Sequence, residues 1–305
     1  MTVELSALFG MDYALDMVKD IHIGDGVFLQ EIKTNRKVNE LFQQVKATDE
    51  DDYRSLVVRE GLEISGRPYT HRFYISLDNE SSFESTKVKD ARQFIMRAIV
   101  LSRIIRPLPI PLHPTLILTV GDKSYAEINI GFYGTAYVVR RLPKETITAD
   151  DADLMAQYWS ASQHLTHFKR MHRAIMTFND AYHIGPSHLS HVILHAALET
   201  LICTTHRNNK NQVVHRLPQL ISGINADQVA EIYHFCADVK HAAAPGLLYS
   251  KSVREIDPRD SKRYEAAKWL EESLRKLFIK ALEDKTFAEE LEDKKVLEAK
   301  YPVPK

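Results

Sequence analysis

The rhythm of hydrophobic and polar positions changes near Pro143. Upstream it is strand-like: Tyr13–Ile32 alternates and carries β-branched residues around Gly24-Asp25-Gly26, which predicts a hairpin. Ser55–Ile64 and His71–Leu77 predict further strands, separated by the turn chemistry of Gly66-Arg67-Pro68. Lys87–Ile105 breaks the alternation. Val88, Ala91, Ile95, Ala98 and Ile99 recur at helical spacing, and Pro107 ends the run by disfavouring helical backbone at Arg106. Thr115–Val120, Tyr125–Phe132 and Ala136–Val139 then read as short strands, so the expectation for 1–145 is an antiparallel sheet with one main helix.

Downstream the period is helical. Thr148-Ala-Asp-Asp is a helix start, with acids in the first turn where the positive dipole end favours them. Helices are expected over about 149–164, 166–183, 187–206, 210–222 and 226–242, with a sixth from Pro258 to about Asp284. The fold class is therefore α+β: a mixed, β-rich domain over 1–145, a helical bundle over 146–285, and a charged tail over 286–305, read as a solvated helical continuation.

Composition narrows the class. The chain has 305 residues, of which 44% are apolar and 27% charged, enough for a core beneath a wetted surface. Wholesale disorder and collagen-like repeats are excluded. Forty basic against 41 acidic side chains give a net charge of -1, so no global attraction to nucleic acid or anionic lipid follows. Two cysteines suit a reducing compartment and cannot build a zinc-ribbon cage. Met1-Thr-Val-Glu-Leu-Ser lacks the basic start of a secretory signal. The most apolar stretch, Phe94–Val120, is interrupted by Arg97, Arg103, Arg106 and four prolines, against a bilayer's demand for about 20 uninterrupted apolar residues. A cytoplasmic protein without a membrane span is expected.

Histidine stands out, with 11 of 14 lying between His164 and His241. His188, His191, His195 and Glu199 share one helical face, a donor set suited to zinc. Their span of about 16 Å is too long for all four to reach one ion. The other reading is a polar stripe, and no cofactor is expected. A second cluster, His206–Arg216, holds Arg207, Lys210, His215 and Arg216 among amides: either phosphate contacts or an ordinary polar connection between helices.

Three motifs follow one another on consecutive helices: Arg-Ala-Ile-x-x-Phe-Asn-x-Ala-Tyr at Arg173–Tyr182, Ala-Leu-Glu-x-Leu at Ala197–Leu201, and Tyr-x7-His at Tyr233–His241. In this order they resemble the HEPN superfamily, and more narrowly its Apea-like subset, over roughly 165–285. The resemblance implies a helical bundle, commonly dimeric, often acting as a metal-independent ribonuclease in defence or toxin systems. Active members carry Arg-x4-6-His. Aligned on Tyr233 and His241, this chain has Cys236 at the arginine position and Ala242 in place of the glycine after the histidine. In such a site the imidazole moves protons while the guanidinium holds the scissile phosphate. Cysteine supplies neither the fixed charge nor the bidentate fork, a loss on the order of a hundredfold or more in rate. Lys240, about 100° around a helix from His241, is a poor substitute.

The leading expectation is thus a regulatory module that binds RNA or a protein partner, as a homodimer, with a degenerate catalytic motif. One alternative is a ribonuclease with a rearranged site, using His241 or His215 as base and Arg207, Lys210 or Arg216 on the phosphate. Another is a metal-dependent hydrolase on the His188/His191/His195 face.

Overall fold

The computed structural model describes residues 2–9, 20–31, 71–78, 85–106, 116–120, 123–127, 147–182, 187–205, 207–233 and 261–304. The strand candidates Ser55–Ile64 and Ala136–Val139 lie outside these residues. The chain is α+β and mostly helical. It divides into two compact units, Met1–Ser160 and Ala161–Lys305.

In the first unit an antiparallel sheet runs in the order β2-β3-β4-β1-β5-β6 among the described residues. Its strands are β1 (Thr2–Phe9), β2 (Ile21–Gly24), β3 (Val27–Glu31), β4 (His71–Asp78), β5 (Leu116–Val120) and β6 (Lys123–Glu127). β1 was not anticipated, although Val3, Leu5 and Ala7 alternate as a strand requires. Asp25 and Gly26 close the β2–β3 hairpin at φ 47° and φ 77°, the left-handed pair that a tight hairpin turn needs. Register brings Leu5 opposite Ile75, Ala7 opposite Phe73, Val27 opposite Ile75 and Leu29 opposite Phe73. All six are buried, because side chains two apart share a face.

Helix α1 (Thr86–Ile105) packs over β1, β3 and β4 and buries the predicted stripe from Val88 to Ile99. Ser85 caps it by accepting from the Val88 amide at 3.2 Å. The other sheet face is aromatic and polar. His22, Phe28 and Tyr74 form a cross-strand ladder with centroids 5.0 and 5.4 Å apart, and the Arg72 guanidinium lies 4.5 Å from the Tyr74 ring centre. The first part of α2 (Ala149–Leu165) belongs to this unit. Thr148 and Asp151 cap it reciprocally: the Asp151 amide donates to Thr148 Oγ1 at 3.1 Å, and the Thr148 amide donates to Asp151 Oδ2 at 2.9 Å.

The second unit contains α3 (Lys169–Asp180), α4 (Ser187–Ile202), α5 (Asn209–Leu220), helical residues 226–233, α6 (Ser261–Glu283), α7 (Lys285–Glu292) and α8 (Lys294–Lys300). α4 packs against α3, α5 and α6, and α7 packs against α3, α4 and α6. The core is aliphatic and aromatic: Leu194, Leu198, Leu201, Leu270, Leu274 and Leu277, with Phe178 and Phe278 meeting edge to face at 5.3 Å.

The solvated-tail expectation is corrected here. Phe287, Ala288, Leu291, Leu297 and Tyr301 are buried. Asp284 and Asp293 each cap the helix that follows, so the charged run folds back as two short helices instead of one long one. Glu292 also supplies the cap that α3 lacks locally, accepting from the amides of Arg170 at 2.8 Å and Met171 at 3.3 Å.

Candidate functional site

The second unit is tied together by buried polar side chains. His195 and Glu199 are one turn apart on α4, and Tyr233 comes from helical residues 226–233. The Tyr233 ring stacks on the His195 imidazole, with centroids 4.5 Å apart. Its hydroxyl donates to Glu199 Oε1 at 2.6 Å, while His195 Nδ1 lies 3.6 Å from the same oxygen. A phenol and an imidazole beside one carboxylate can share protons, yet His195 is 1% exposed and Tyr233 2%, so no macromolecular substrate reaches them. What the trio does is fasten residues 226–233 to α4. By sequence, Cys236, Lys240 and His241 follow, and all three lie outside the described residues.

Two arginines make the other ties. Arg170 donates to the carbonyls of Thr200 at 2.6 Å, Cys203 at 2.6 Å and Leu291 at 3.1 Å. Arg216 donates to the carbonyls of Tyr301 at 3.0 Å and Ile202 at 2.9 Å, and to Gln212 Oε1 at 2.9 Å. Burial pulls both guanidinium groups below their ordinary pKa, with Cys203 the largest influence in the opposite direction. These carbonyls belong to the ends of α4 and α7 and to the residue after α8. Such acceptors have no partner within their own helix, so the guanidinium fork supplies one.

The expected phosphate cluster is therefore split. Arg216 is 3% exposed with its guanidinium turned to backbone carbonyls, which corrects its place among the phosphate contacts. Arg207 and Lys210 are exposed at the start of α5, and His215 is half-buried further along it. Asn208 holds the turn into the helix at φ 59°, a left-handed position that asparagine tolerates.

The histidine face also differs from the polar stripe of the sequence reading. His191 and His195 are both 1% exposed, and His188 stands in the first turn of α4. Among the described residues no three His, Cys, Asp or Glu groups come together as a metal site would require. His164 and His167, three residues apart at the end of α2, are exposed, with ring centroids 6.3 Å apart.

Sequence reasoning missed Arg170 as an organising residue and missed Glu199 as the partner of Tyr233. The His195/Glu199 spacing of four was visible; the phenol arriving from another helix was not. The chain is thus an α+β protein whose helical unit is held by buried Tyr–Glu and Arg–carbonyl bonds. No described helix is long and apolar enough to cross a membrane. Comparison with family models, curated proteins and solved structures gives no match.

Proposed function

We propose that residues 161–305 are a HEPN-like helical bundle that binds single-stranded RNA without cleaving it. The observation carrying this reading is Cys236 at the position where the resembled family places its phosphate-holding arginine. The fate of Arg216 supports it: a rearranged site would recruit that cation, and its guanidinium is instead engaged by Tyr301, Ile202 and Gln212. Arg207 and Lys210 remain at the surface and supply the phosphate contacts. With a net charge of -1 the attraction is local, so affinity depends on these few cations.

Fluorescence anisotropy with an end-labelled single-stranded RNA, titrated at several salt concentrations, tests the reading. Each phosphate contact contributes about -0.7 to the slope of log affinity against log salt. Arg207→Ala and Lys210→Ala are each expected to reduce the slope by about that amount. Absence of binding, or a slope unaffected by both substitutions, refutes the assignment.

A further inference from the structure

Beyond α8 the chain does not leave the bundle. Tyr301 is buried, with its hydroxyl donating to Glu290 Oε2 at 2.8 Å and its carbonyl held by Arg216. Pro302, Val303 and Pro304 then run back along α5. Gln219 Nε2 reaches the Pro302 carbonyl at 3.3 Å, and Asn211 Nδ2 reaches the Pro304 carbonyl at 3.4 Å. Asn211, His215 and Gln219 are spaced by four, so they form one row on the helix. Lys210, in the first turn of α5, and Arg207, two residues before that helix, are exposed near its N-terminal end.

Two features set residues 302–304 apart from the anchored Tyr301. Both hydrogen bonds are long and solvent-exposed, and Pro302 and Pro304 are themselves exposed. Proline also has no N–H, so the strap offers α5 chiefly carbonyl oxygens. The side chains that meet it act as donors. A sugar–phosphate backbone presents the same complement, a line of acceptor oxygens, with negative charge added for Lys210 and Arg207.

We propose that residues 302–304 are a displaceable strap on the donors Asn211 and Gln219, and that the backbone of single-stranded RNA takes their place. This rests on the RNA-binding reading and adds its regulation: the strap holds affinity down until it is displaced. Because Tyr301 stays anchored, release breaks the two long hydrogen bonds at Pro302 and Pro304 and leaves Tyr301 in the core.

The test compares the full chain with a chain ending at Tyr301, using anisotropy with a labelled single-stranded oligouridylate and a thermal melt as the folding control. Removing 302–305 also deletes Lys305, and loss of that cation by itself weakens RNA binding. The shortened chain is expected to bind about 3- to 10-fold more tightly, the scale of one or two modest hydrogen bonds. Asn211→Ala with Gln219→Ala in the shortened chain should abolish the gain. Equal affinity of the two chains, with RNA bound by both, overturns the strap and leaves the RNA-binding reading standing. RNA bound by neither chain overturns both.

Discussion

Arg207 and Arg216 come from one basic run and have opposite fates. Arg216→Ala would orphan the carbonyls of Tyr301 and Ile202 in a buried setting, at a cost of about 2–4 kcal/mol in urea unfolding. Arg216→Lys should recover only part of this, since an ammonium cannot reproduce the fork. Arg207→Ala should stay within about 0.5 kcal/mol of the parent. Equal losses at the two positions would contradict this division of labour. Tyr74 gives a pH signature in the sheet unit. Burial and its hydrogen bond to Asp20 push the phenol up to about 12. A raised folded-state value means that this contribution to stability is complete below the ordinary value of 10.0 and fades as pH rises toward about 12. Tyr301 is raised too, so Tyr74→Phe should remove part of the alkaline loss of melting temperature, not all of it. At this scale the helix start at Thr148-Ala-Asp-Asp was legible in the sequence, because capping is local; the reciprocal Thr148–Asp151 bonds came with the structure. The sequence concealed the Arg216 bonds, whose partners Ile202 and Tyr301 are brought together only by folding.

At the scale of elements, the hairpin around Asp25-Gly26, α1 with its buried stripe, and the start of α2 follow from spacing and turn chemistry. Two elements escaped for physical reasons. β1 carries its alternation in a short segment, and its central place in the sheet depends on pairing with β4 and β5, far away in sequence. In the tail, Asp284 and Asp293 restart the helix twice, so Phe287, Leu291, Leu297 and Tyr301 keep no single helical period. A charged sequence thus hid a row of core residues. Phe287 is 2% exposed, and its ring lies 4.3 Å from Lys280 Nζ. Phe287→Ala is expected to lower unfolding free energy by about 3–5 kcal/mol, with the denaturant slope unchanged. A loss below about 0.5 kcal/mol, the range of ordinary surface substitutions, would restore the solvated tail.

For the whole molecule, the change of period near Pro143 marked where sheet gives way to helix, while the compact units divide later, inside α2. Helix starts follow local capping, whereas a unit boundary depends on which distant surfaces bury a helix. The histidine-rich character of the second half was legible; that His191 and His195 lie in the interior was not, because imidazoles suit either a surface or a satisfied core. The proposed function joins a buried polar framework to a surface carrying Arg207 and Lys210, with Cys236 where the resembled family has its arginine. Its central claim is binding without cleavage. Single-turnover incubation of excess protein with end-labelled single-stranded RNA, resolved by denaturing electrophoresis, tests it most directly. The account predicts RNA that is bound yet intact, with His241→Ala indistinguishable from the parent. Cleavage products that vanish with His241→Ala would contradict it.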